Sequence, residues 1–167
     1  MPDDPTESPD RGADDATDLS GRGPHDPTGL PTRGPVDGAI LDRIAAHLAR
    51  SARFDDVRAR PPYAPNAIIA DYDLGYFPGG VTRAYLRIRW FETVDFSIHY
   101  SEQYRTDTSW ECRWDRHPND HNTKAHFHPP PDAPTPGVDA EYPHEWRDVL
   151  AVVLDGLDDR IEAFWDE

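Results

Sequence analysis

Four histidines, His117, His121, His126 and His128, fall within the stretch Trp114-Asp115-Arg116-His117-Pro118-Asn119-Asp120-His121-Asn122-Thr123-Lys124-Ala125-His126-Phe127-His128. They are half of the chain's eight histidines. Imidazole titrates near pH 6.5, so a pair of them can take a proton from a ribose 2′-hydroxyl and return one to a leaving oxygen, worth roughly a hundred- to ten-thousand-fold per group. An arginine beside them would hold the phosphate and offset its developing charge. The same residues allow a second chemistry. His126-x-His128 with His121, His117 or Asp115 offers nitrogen and oxygen ligands for zinc or another transition metal, although the spacing matches no specific metal motif and no His-Glu-x-x-His is present. The third reading is structural: loop histidines bonded to backbone in a connection with little other structure. Spacing alone leaves all three open.

The elements that must position these groups are readable on either side. Asp37 caps a helix with Ile40, Leu41, Ile44, Ala45 and Leu48 on one face, ending near Ser51. The period then changes. Ala84, Leu86, Ile88 and Trp90 alternate with Arg83, Tyr85, Arg87 and Arg89; Val94, Phe96, Ile98 and Tyr100 alternate with Asp95, Ser97 and His99. A third run sets Trp110, Cys112 and Trp114 opposite Glu111, Arg113 and Asp115. Short gaps between these runs predict an antiparallel meander, with Phe54 to Arg60 as a possible added strand. A proline-rich connection covers residues 118–143. The final element, Pro143 to Trp165, carries Trp146, Val149, Leu150, Val153, Leu154, Leu157 and Ile161 as a helical stripe. The expected class is therefore α+β: an N-terminal helix, a four- to five-stranded antiparallel sheet, and a C-terminal amphipathic helix packed on it. On the polar side of that sheet Arg87, Arg89, His99 and Arg113 would form a basic patch leading to the histidines.

Several motifs are better read as packing. Cys112 stands alone and alternates inward, which excludes an internal disulfide and a cysteine-built zinc site. Trp110 and Trp114 share its face, so they suit a core rather than base stacking. Gly79-Gly80 marks a turn, not a phosphate loop.

Composition bounds the setting. The chain has 167 residues and a formal charge of −15, from 32 acidic and 17 basic side chains. Aspartate outnumbers glutamate 24 to 8, and Lys124 is the only lysine. An acidic, lysine-poor surface spread along the chain suits molar salt, where the Debye length is about 3 Å and self-repulsion is screened. In that medium net charge does not exclude RNA, and local arginines decide. Residues 1–35 hold almost no large apolar side chains and are expected to form a disordered acidic tail before a single domain at 36–167. Neither a secretion signal nor a membrane span is expected, which points to the cytoplasm.

At the histidine stretch the sequence resembles the TumE family of toxin–antitoxin proteins. Trp114-Asp115 and Pro118 match that family's strand-end Trp-Asp and following proline, and His126-Phe127-His128 matches its His-x-His segment. Asn119-Asp120 replaces histidines after the proline, and Pro129-Pro130-Pro131 follows where the family has an apolar residue. The resemblance implies a toxin that attacks RNA, neutralised by a helix-turn-helix antitoxin encoded beside it. On that reading His126 and His128 transfer protons, His117 or His121 assists, and Asp115 orients an imidazole. Arg113 or Arg116 contacts phosphate, helped by Arg87, Arg89 and His99, with no metal or other cofactor. The competing functions are a protein-interaction domain with structural histidines, and a metal-binding regulatory domain.

Overall fold

The computed structural model describes residues 34–166. The expected tail lies outside them except for Gly34 and Pro35, and the Pro35 carbonyl accepts the Glu92 N–H at 3.0 Å. Helix α1 (Gly38–Leu48) starts as expected, with the Asp37 carboxylate accepting the Ile40 N–H at 3.0 Å. Seven strands follow: β1 (Phe54–Arg60), β2 (Ala67–Tyr72), β3 (Val81–Trp90), β4 (Phe96–Tyr104), β5 (Ser109–Arg116), β6 (Ala125–His128) and β7 (Val138–Asp139). Helix α2 (Trp146–Glu162) closes the chain. The strands lie side by side in chain order and every pairing is antiparallel. This is the expected meander with more strands than the four or five expected.

Both helices contribute to one core with a single face of the sheet. Leu41, Ile44 and Leu48 from α1, and Trp146, Val149, Leu150, Val153 and Leu157 from α2, join Leu86, Ile88, Trp90, Phe96, Ile98, Tyr100, Cys112 and Trp114. Burying each large apolar side chain contributes about 1.5–3 kcal/mol, which is why the periodic stripes settle the architecture. The opposite face of β3 keeps Arg83, Tyr85, Arg87 and Arg89 half-exposed.

Three local expectations change. The last helix begins at Trp146, so Pro143 precedes it and does not form its first turn. Val94 was expected inward and Asp95 outward; the reverse holds, with Val94 exposed at φ 65° in the β3–β4 turn and Asp95 buried. The turn from Phe91 to Asp95 consumes one residue of the alternation and flips what precedes Phe96. His126 and His128, expected in a loop outside the core, stand on β6 and are buried. A strand of four residues is held there by β5 on one side and β7 on the other.

Candidate functional site

The open face of the sheet is organised by register. Residues directly opposite on antiparallel neighbours have side chains about 4.5–5.5 Å apart, and here two rows cross four strands. One row runs Arg87, His99, Arg113, His128. The other runs Arg89, Ser97, Asp115, His126. Each begins at an arginine on β3 and ends at a histidine on β6, about 14 Å away at three strand spacings. His117, the first residue after β5, joins the end of the rows, its N–H bonded to the Lys124 carbonyl at 2.9 Å.

Asp115 is the centre. Its Oδ2 accepts from Arg113 Nε at 2.6 Å and lies 3.1 Å from His128 Nε2, 3.8 Å from His117 Nε2 and 3.8 Å from His126 Nε2. Its Oδ1 accepts no hydrogen bond among the described residues. The imidazoles are fixed from behind. His117 Nδ1 lies 3.1 Å from the Pro118 carbonyl, His126 Nδ1 3.3 Å from that of Thr123, and His128 Nδ1 2.7 Å from that of Pro134. A carbonyl only accepts, so it favours the hydrogen on Nδ1, although the Asn119 amide stands 3.5 Å from His126 Nδ1 as a competing donor, and each ring turns its Nε2 edge toward Asp115. For His128 that edge is met by Arg113 Nη2 at 2.9 Å.

Two loops roof the cluster. In the first, Asn119 Oδ1 accepts the N–H groups of His121 and Asn122 at 2.9 and 2.6 Å, while its amide donates to the carbonyls of His117 and Thr123. The second returns at Gly137, where a Cβ would stand 2.4 Å from the Phe127 carbonyl oxygen, so only glycine fits. Asn122 ties the two together by donating to the Gly137 carbonyl at 2.8 Å. Under this roof Asp115 is 0%, His126 and His128 are 1%, and His117 is 2% exposed.

Burial sets the electrostatics. Desolvation alone would raise the Asp115 carboxyl, but His117, His128, Arg113 and Ser97 hold it far below the usual range. Burial also works against protonated His117, yet Asp115 and the Pro118 carbonyl leave it raised. His126 is lowered, by burial first and then by His117 and His128. On the open face His99 is lowered too, by burial first and by Arg113 and Arg87, with Glu111 acting the other way at 3.2 Å.

The residues singled out from sequence therefore separate. Asp115, His117, His126, His128 and Arg113 meet, and Arg87, Arg89 and His99 line the approach. His121 is exposed and stays out of the cluster. Arg116 does not belong to this face. It points to the core side, where it donates to the Val94 carbonyl at 2.9 and 2.8 Å and to that of Pro143 at 2.7 Å, so its guanidinium is committed to backbone. Its strand parity, two residues beyond Trp114, was the available signal. Sequence reasoning missed Ser97, Asn119 and Gly137; only the close return of the second loop distinguishes that glycine from any other.

A family model described as Toxin TumE matches residues 41–161. The chain belongs to this toxin family. The match takes in both rows, both roof loops and most of the two helices. Neither curated proteins nor solved structures give a match. Among the described residues no helix is long and apolar enough to cross a membrane.

Proposed function

We propose that this TumE-family toxin acts on RNA by cleaving its phosphodiester chain, and that the reaction takes place where the two cross-strand rows end at Asp115. The observation that carries this reading is the register. It aligns Arg87, Arg89, His99 and Arg113 on the helix-free face of a chain whose net charge is −15, and it leads them to one carboxylate and three imidazoles. Arginines spaced along a strand neutralise phosphates whatever the base sequence. Arg113, at the inner end, is placed to offset charge that develops on the phosphorus oxygens. Proton transfer at the 2′-hydroxyl and the leaving oxygen is then the task of the Asp115 cluster. The exposed His121 stands outside it and is assigned no step. The partner is a small helix-turn-helix antitoxin encoded in the neighbouring reading frame.

Induced expression with and without that neighbour, followed by RNA integrity analysis, tests the proposal. RNA fragmentation and growth arrest are expected from the toxin alone, with both relieved by the neighbour. Harmless expression with intact RNA would end the reading and leave an interaction protein whose histidines hold its loops.

A further inference from the structure

The Asp115 cluster has an electrostatic gap. Two imidazole Nε2 atoms, on His117 and His126, face a carboxylate oxygen at 3.8 Å each, too far for hydrogen bonds, in a buried site. In the neutral Nδ1–H form these rings present lone pairs to the carboxylate, which repel it unless something positive stands between them. Arg113 fills that role for His128 and not for the other two.

We propose that Asp115, His117 and His126 bind a divalent transition metal of the zinc type. This takes the same site as the RNA reading and names what the site holds. The three ligand atoms all lie within 4.8 Å of one another. Zinc–ligand bonds of about 2.1 Å put the ligand atoms of a tetrahedral site roughly 3.4 Å apart, so the two 3.8 Å edges close by a few tenths of an ångström and the edge between the two imidazoles, within 4.8 Å, closes by more as the rings turn inward. The outer contacts have the form such ligands use: each ring has a backbone carbonyl at Nδ1, which favours the tautomer that leaves Nε2 to a metal. The unpartnered Oδ1 of Asp115 gives the carboxylate a second oxygen for the ion. Two nitrogens and a carboxylate suit zinc, iron(II) or manganese(II) better than the hard ions calcium and magnesium, which prefer all-oxygen sets. Because Arg113 holds His128 Nε2, three protein ligands leave one coordination position open, the arrangement of a catalytic rather than a structural zinc site. An ion there would supply a bound water acidified toward neutrality, next to Arg113.

The test uses the full-length chain without a histidine tag, stripped by chelator and titrated with cobalt(II) and zinc(II). One equivalent of metal per chain is expected, with visible cobalt absorption and a raised melting temperature. Asp115→Asn, His117→Ala and His126→Ala should each weaken binding at least a hundredfold, while His144→Ala, at an exposed position, binds as the parent does. Circular dichroism establishes which variants fold, and the wild-type titration stands whether or not they do. Less than stoichiometric binding by the wild type overturns the site, as does binding that survives in folded Asp115→Asn and His126→Ala, whatever the RNA assay shows. Stoichiometric binding by a protein that leaves RNA intact supports the site and overturns the RNA reading. RNA cut at full rate by demonstrably metal-free protein does the reverse.

Discussion

Two carboxylates are buried on the strands of this sheet, one on each face, and they are treated very differently. Glu102, under α2, is saturated. Its Oε1 accepts from Tyr100 at 3.0 Å and Arg160 Nε at 3.2 Å, and its Oε2 from Tyr104 at 2.5 Å and Arg160 Nη2 at 3.0 Å. Burial and the Glu102 charge push the Tyr104 hydroxyl up to about 12, so it stays a donor at any working pH. Arg160 is sandwiched over Trp110 and Phe164, with ring centroids 4.3 and 4.2 Å away. Every lone pair has a hydrogen to meet. Asp115, on the open face, has one oxygen with no hydrogen bond among the described residues and two imidazole nitrogens at 3.8 Å, beyond hydrogen-bond reach. A buried polar network that is complete stabilises and orients; one left incomplete costs stability and persists for another reason. The first ties a helix to a sheet, and the second stands where we propose the chemistry takes place.

The largest effect should follow from breaking the complete network. Glu102→Ala leaves Arg160 without its counter-ion and Tyr100 without an acceptor. A loss of about 3 kcal/mol in the unfolding free energy from denaturant titration is expected; a loss below about 1 kcal/mol would mean that the network is ornamental. The Asp115 cluster should yield less in metal-free protein. There His126→Ala removes only a 3.3 Å hydrogen bond and some packing, so about 1–2 kcal/mol is expected. Zinc at a hundredfold excess over its Kd should add about 2.7 kcal/mol to the wild type alone, so the contrast between the two carboxylates narrows when metal is present. Equal stability of the wild type with and without zinc would contradict this.

Smaller effects belong to the open face. Arg87→Ala should leave stability within about 0.5 kcal/mol while lowering RNA affinity, and should reduce the salt dependence of binding by about one ion. An unchanged salt slope would take Arg87 out of the interface. The smallest effect is a pH slope from His99. Its folded pKa is depressed, so its contribution is complete above the unfolded value near 6.5 and is lost as pH falls through the folded value. Stability should therefore decline gently below pH 6.5, and His99→Gln should remove that part of the decline.

Much of this was visible in the sequence, and the omissions have physical causes. The helix stripes and the alternation in β3, β4 and β5 are long enough for periodicity to identify them. Strands β6 and β7 are not: they have four and two residues and stand among prolines. Even so, Ala125-His126-Phe127-His128 alternates, and Phe127 packs on Trp114 at 5.3 Å, a hint that the histidines share the other face. Composition gathered the right residue types, but the rows depend on register, and register is set by turns. The Phe91–Asp95 turn, with Val94 at positive φ, decides that Arg89 meets Ser97. A one-residue slip there would have put the arginines under the helices. Burial was the other hidden quantity, because the roof depends on backbone carbonyls of Pro118, Thr123 and Pro134 that no residue-type pattern reveals.

We propose that Asp115 does the chemistry and that Glu102 only holds the fold. The direct measurement is the cleavage rate of a defined RNA oligonucleotide by purified Asp115→Asn and Glu102→Gln, under conditions where circular dichroism finds both folded. Asp115→Asn should cut at least a hundredfold more slowly than the wild type, and Glu102→Gln, though less stable, should cut at the wild-type rate. Wild-type cleavage by folded Asp115→Asn, or equal losses in the two variants, would contradict the account.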